Sequence, residues 1–97
     1  MTLLAGKIAL ITGAGQGVGQ GIAFALAEAG AKVAVTGRTL TKVESTRKEI
    51  QKRGGEAIAI ECDVKELESL EQCVKTVVEH FVGINILVNN AQDVPSG

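Results

Sequence analysis

Apolar runs and amphipathic stretches alternate along this chain. Residues 7–12 (Lys-Ile-Ala-Leu-Ile-Thr) are short, mostly apolar and stopped by Gly13, the pattern of a buried strand. Val18, Ile22, Ala25 and Ala29 then recur at helical spacing, and Gly30 is the kind of residue that ends a helix. Residues 32–36 predict a second strand. Residues 40–53 predict a charged helix with Leu40, Val43 and Ile50 on its inner face and Gly54-Gly55 as its stop. Residues 56–62 predict a third strand, with Ile58, Ile60 and Cys62 on one face and Ala57 and Ala59 on the other. A third helix is expected over residues 65–82, its buried stripe marked by Leu67, Leu70, Val74, Val77, Val78 and Phe81. Asp63 followed by Glu66 has the spacing of a capping box. Residues 84–88 predict a fourth strand ending in Asn89-Asn90, and residues 91–97 read as loop.

The order is therefore β-α-β-α-β-α-β with short connections. Strands apolar on both faces, separated by helices, imply an α/β fold: a parallel sheet with helices on both sides, a three-layer α/β/α Rossmann-type architecture. Right-handed crossovers restrict the layout. The commonest arrangement reverses direction at the third crossover, giving strand order 3-2-1-4 and a switch point between strands 1 and 4. Ligands of such sheets bind there, outside the carboxyl ends of the strands. Residues 13–19 and 89–91 both arrive at that edge.

Ninety-seven residues make one small domain at most. Lys and Arg number 10 against 11 Asp and Glu, so no charge excess steers the chain towards nucleic acid or an anionic membrane. Two Phe and no Tyr or Trp leave little material for stacking bases. Cys62 and Cys73 read as structural thiols of a reducing compartment, and with one histidine, His80, they lack the ligand set of a zinc site. Residues 1–7 show no basic region ahead of a long apolar core, and no apolar run approaches the ~20 residues of a membrane span. A cytoplasmic location without membrane insertion is expected.

Thr12-Gly13-Ala14-Gly15-Gln16-Gly17-Val18-Gly19 lies between the first strand and the first helix, and that placement carries its meaning. Gly13 lets the chain leave the strand sharply. Gly17 and Gly19 remove side chains where backbone approaches a pyrophosphate and where helix lies close to strand. The helix start then offers free N–H groups and its positive end to the phosphates. The plainer reading of these glycines is an ordinary tight turn; four glycines within seven residues in a strand-to-helix context favour nucleotide binding.

The spacing is T-G-x-x-x-G-x-G rather than G-x-G-x-x-G. It resembles the short-chain dehydrogenase/reductase family, as do Asp63-Val64 after the third strand and Asn89-Asn90-Ala91 after the fourth, which match that family's D-V and N-N-A-G. The resemblance runs from Lys7 to about Ala91, three motifs in order, each at a strand's carboxyl end. It implies that Gly13, Gln16, Gly17, Val18 and Gly19 form the cofactor's phosphate turn. It implies too that Asp63 contacts the adenine amino group with Val64 nearby, that Asn89 ties neighbouring strands together near the cofactor, that Asn90 is among the cofactor-binding residues, and that Ala91 lines the ribose. Gln92 stands where the family has glycine, and Asn85 where relatives often carry Asp.

The end of the second strand bears on which dinucleotide binds. An acidic residue there accepts hydrogen bonds from the adenosine ribose of NAD. Here the stretch is Val35-Thr36-Gly37-Arg38-Thr39, without a carboxylate. Gly37 leaves space, Arg38 supplies a forked cation for a 2′-phosphate, and Thr39 can add a hydroxyl, so NADP is expected over NAD. Arg38 as a solvated surface arginine is the plainer alternative. Many NADP-preferring relatives carry a second basic residue in the glycine turn, where this chain has the neutral Gln16.

In the family, hydride transfer needs a Tyr, a Lys and a Ser beyond the fourth strand. This chain has no tyrosine, His80 sits near a helix end, and Ser96 has no base beside it in sequence. Residues 1–97 thus read as the N-terminal part of one dinucleotide-binding domain, with no catalytic residue assigned and the catalytic half absent. The resemblance implies an NADP(H)-dependent oxidoreductase that reduces a carbonyl or oxidises a secondary alcohol, generally as a homo-oligomer. A truncated, non-catalytic nucleotide-binding or association module is the alternative. An S-adenosylmethionine methyltransferase is disfavoured by the glycine spacing and Asn-Asn-Ala.

Overall fold

The computed structural model describes residues 3–90. Seven elements follow one another: β1 (Ile8–Ile11), α1 (Gly17–Glu28), β2 (Lys32–Gly37), α2 (Leu40–Lys52), β3 (Glu56–Glu61), α3 (Leu67–Phe81) and β4 (Ile86–Val88). The strands form one parallel sheet in the order β3-β2-β1-β4. The expected reversal at the third crossover is thus present, and β1 lies beside both β2 and β4. Register aligns Ile11 with Val35 on one side and with Val88 on the other, and Gly37 with Glu61. The residues that follow each strand consequently emerge along one edge of the sheet.

Strand alternation sorts the core into two layers. Ala9, Ile11, Val33, Val35 and Ala57 face Ala23 of α1 and Val43 and Ile50 of α2. Ile8, Leu10, Ala34 and Cys62 face Cys73, Val77 and Phe81 of α3. The small residues on the first side let two helices lie close to the sheet. The β3 faces are as the alternation predicts, with Ile58 and Ile60 on the α3 side and Ala57 and Ala59 on the other.

Several helix faces differ from expectation. In α1 the buried residues are Gly19 and Ala23, whereas Val18 is 72% exposed and Ala25 is also exposed. The helix starts against the glycine turn, and that close approach selects its smallest side chains rather than its larger apolar ones. In α2, Leu40 is exposed and Thr46 is buried between Val43 and Ile50. In α3 the buried line is Cys73, Val77 and Phe81, with Leu70 half-buried; Leu67, Val74 and Val78 lie on an exposed flank. One helix over this side of four strands covers a narrow footprint, and the flank has no packing partner among the described residues.

The helix ends also refine the reading. The helices end on left-handed residues where the glycines predict it, at Gly30 (φ 105°) and Gly54 (φ 92°). The helix expected over 65–82 is shorter at both ends: it starts at Leu67 after the N-cap Glu66, and Val82 closes it with φ 74°. The capping box does not form. Glu66, not Asp63, is the N-cap residue and makes no side-chain cap. Asp63 lies three residues earlier, where its Oδ1 accepts the Lys65 N–H at 3.0 Å, a local Asx turn. Among the described residues no helix is long and apolar enough to cross a membrane.

Candidate functional site

At the carboxyl edge of the sheet the chain forms a cleft of about 440 Å³. Its floor is the glycine turn. Gly17 adopts φ 61°, a conformation that side chains disfavour, and a Cβ there would meet nothing within 4 Å. That open position leaves a concave space at the start of α1. Gly19 has a different reason to be glycine: a Cβ would lie 2.1 Å from the Gly13 carbonyl oxygen and 2.6 Å from Asn90 Nδ2. The residue lets helix and turn touch.

Neighbouring elements hold the turn rigid. The Ala14 N–H donates to the Thr36 carbonyl at 2.9 Å, and the buried Thr36 hydroxyl donates to the Ile11 carbonyl at 3.1 Å. The Ala14 carbonyl accepts the hydroxyl of Thr46 at 3.0 Å, and Thr46 in turn accepts Gln20 Nε2 at 3.1 Å. From the far side Asn90 Nδ2 donates to the Gly13 carbonyl at 3.2 Å, and the Asn90 N–H donates to Thr12 Oγ1 at 2.9 Å. Asn89 Oδ1 lies 3.3 Å from Thr12 Oγ1. Residues of β2, of α2 and of the segment after β4 thus converge on three turn residues, Thr12, Gly13 and Ala14. Such preorganisation matters because backbone amides bind an anion well only if held in place beforehand.

The first turn of α1 carries no acidic residue, and its N-cap, Gln16, makes no side-chain cap. The helix therefore presents its positive end and initial N–H groups without a built-in anion. Arg38 and Thr39 line the cleft from the end of β2, and Asp63 and Val64 from the end of β3. Arg38 makes no hydrogen bond or ion pair among the described residues; Glu61 and Asp63 flank it across a smaller hollow. The buried Cys62 thiol lies 3.9 Å from the Ser69 carbonyl, and burial, with Cys62 beside it, pushes the Cys73 thiol up to about 12. Both cysteines are free and buried, as fits structural thiols.

Of the residues singled out from sequence, Gly13, Gln16, Gly17, Val18, Arg38, Thr39, Asp63, Val64 and Asn90 all border this cleft. Gly19 lies beneath it and Asn89 beside it, each as a support. Ala91 falls outside the described residues. Sequence reasoning missed Thr36, Thr46 and Lys42. The 43-46-50 spacing of α2 was the signal for Thr46, hidden because a threonine does not stand out in an apolar stripe. His80 is exposed and packs edge-on to Phe81 at 4.8 Å, away from the cleft.

The model of the short chain dehydrogenase family matches residues 7–93, which include the whole sheet and every element around the cleft. The chain belongs to the short-chain dehydrogenase family. It is 41% identical over 92 residues to a 3-oxoacyl-[acyl-carrier-protein] reductase of Synechocystis, covering 94% of this chain and 37% of that protein. It is 48% identical over 92 residues to an uncharacterized oxidoreductase of Thermotoga maritima, covering 95% of this chain and 36% of the relative. Among solved structures, a hydroxysteroid dehydrogenase from Escherichia coli superposes with a TM-score of 0.90 at 37% identity, covering 96% of this chain and 43% of that one. The chain thus spans between 36% and 43% of the length of these relatives. Membership of this oxidoreductase family implies a nicotinamide dinucleotide cofactor. The open space at Gly17 and the uncapped, non-acidic start of α1 fit the phosphates of that group.

Proposed function

We propose that this chain forms the cofactor-binding part of an NADP(H)-dependent oxidoreductase acting on a carbonyl or a secondary alcohol. The observation that carries the choice of NADP is Arg38. It borders the cleft at the end of β2, where an NAD-binding site would carry a carboxylate, and it makes no hydrogen bond or ion pair among the described residues. Its guanidinium suits the extra phosphate, whereas a carboxylate would repel it. Residues 13–19 hold the pyrophosphate through main-chain amides, Thr39 supports the ribose phosphate, and Asp63 and Val64 border the adenine. Asn89 and Asn90 support the turn beside the cofactor. When bound, the nicotinamide supplies or accepts the hydride; the residues of this chain bind and orient.

The chain contains no tyrosine, so the acid/base and substrate-orienting residues lie outside these 97 residues in this reading. The same observation favours a second reading, a nucleotide-holding module without turnover. Calorimetric titration of the chain with NADP⁺, NAD⁺ and S-adenosylmethionine tests the assignment. NADP⁺ is expected to bind tightest, and Arg38→Ala to lower its affinity by about tenfold or more while sparing NAD⁺. Tightest binding of S-adenosylmethionine, or a preference for NADP⁺ that survives Arg38→Ala, would overturn it. The 97-residue chain should show no dehydrogenase turnover with any carbonyl substrate; measurable turnover would contradict the assignment of catalysis to residues elsewhere.

A further inference from the structure

The phosphate-reading corner of the cleft holds a second cation that the glycine turn does not itself encode. Lys42 of α2 borders the cleft together with Arg38, and its Nζ donates to Gln16 Oε1 at 2.7 Å. We propose that Lys42 is a specificity-determining residue, the second arm of a two-cation clamp on the adenosine 2′-phosphate, with Gln16 as its positioning residue. The inference rests on the NADP reading above and deepens it.

Three observations separate this lysine from an ordinary surface lysine. Its stem is pressed against the turn: a Cβ on Gly15 would lie 2.8 Å from Lys42 Cβ, so α2 and the turn are in contact at this point. Its partner is neutral, so Gln16 directs the ammonium without cancelling its charge; an acidic partner would have done so. It also sits in the first turn of α2, whose start is Leu40 and which carries no acidic residue there. A cation at that end opposes the helix dipole, so helix stability gives no reason for it. An incoming phosphate removes the conflict. The cleft is thus bordered both by Arg38, whose guanidinium grips a phosphate with a fork, and by Lys42, which acts as a point charge. Arg38, Lys42 and Lys65 border the cleft with Asp63, and Glu61 lies beside Arg38 in the adjoining hollow.

Titration of the purified full chain with NADP⁺ and NAD⁺ tests the clamp, using Lys42→Met, Lys42→Arg, Gln16→Ala and Arg38→Ala. Lys42→Met keeps the stem and removes the charge. It is expected to weaken NADP⁺ by about tenfold, to change NAD⁺ by less than about twofold, and to flatten the salt dependence of NADP⁺ binding. Lys42→Arg should retain most of the preference, and Gln16→Ala should lose about threefold through a less well-held ammonium. Thermal melting of each variant confirms folding; should Lys42→Met fold poorly, Lys42→Gln replaces it with the same expectation. If the charge-removing variant leaves the NADP⁺/NAD⁺ ratio unchanged while Arg38→Ala lowers it, the lysine role is wrong and the cofactor assignment stands. If the unmodified chain shows no preference for NADP⁺, the cofactor assignment itself is wrong.

Discussion

At the scale of single residues, the glycines of one short segment have unlike reasons to be there. Gly17 is open and twisted; Gly19 is wedged against the Gly13 carbonyl and Asn90; Gly21, two residues on, is exposed with nothing within 4 Å of a would-be Cβ. Gly19→Ala must push helix from turn, so a loss of about 2–3 kcal/mol is expected, along with dinucleotide binding. Gly21→Ala lies in an exposed helix interior and should gain about 0.5–1 kcal/mol. Urea unfolding midpoints of the two variants, compared with the unmodified chain, check both signs. Sequence spacing alone treats these positions as a set. Only the distance from Gly19 to its neighbours shows which glycine is wedged into the packing and which leaves open space.

Among the elements, α2 does more for the site than its charged sequence suggests. Thr46 reaches from its buried face to the Ala14 carbonyl, with Gln20 of α1 donating to it. Thr46→Val removes the donor and strands a buried carbonyl and an amide, at an expected cost of about 1–3 kcal/mol. NADP⁺ affinity should fall too, because the turn loses one of its anchors; Thr46→Ser keeps the hydroxyl and should keep the affinity, as titration of both would show. In α3 the buried thiol makes a pH statement. Cys73 ionises near pH 9 when unfolded and near 12 when folded. Above pH 9 the unfolded chain therefore holds fewer protons than the folded one, and stability falls as pH rises through this window. The slope contributed by this one group approaches ~1.4 kcal/mol per pH unit. Denaturation of Cys73→Ala across the same alkaline range should lack that part of the slope; an unchanged slope would show that the thiol ionises as freely folded as unfolded.

For the whole molecule, the two sheet faces are unequally covered. Among the described residues two helices pack on one and α3 alone on the other, with Leu67 70% exposed and Val74 and Val78 exposed beside it. Leu87 of β4 is 65% exposed, and among the described residues β4 pairs with β1 alone. Apolar area of this kind, next to an unpaired strand edge, promotes association. Sedimentation of the 97-residue chain should show self-association that grows with concentration. Replacing Val74 and Val78 together by Lys should shift it towards monomer, and no shift would place the association elsewhere.

The fold was legible in sequence because its determinants are local: strand and helix periods, stop glycines, and three motifs placed at strand ends. Register then had little freedom, since a slip of one residue would turn Ile11, Val33 and Val35 away from the layer they fill. What the sequence by itself determined is this alternation, the family, and most of the cleft's border, all carried by residues close to one another in the chain. What only the tertiary structure decided are the contacts between distant segments: Thr46 and Lys42 against the glycine turn, Asn90 against Gly13, Cys73 rather than Leu67 inward on α3. Those depend on which helix face meets the sheet and on side chains from separate elements reaching the same few ångströms of backbone. A one-dimensional pattern records neither the angle of approach nor the partner found at the end of it.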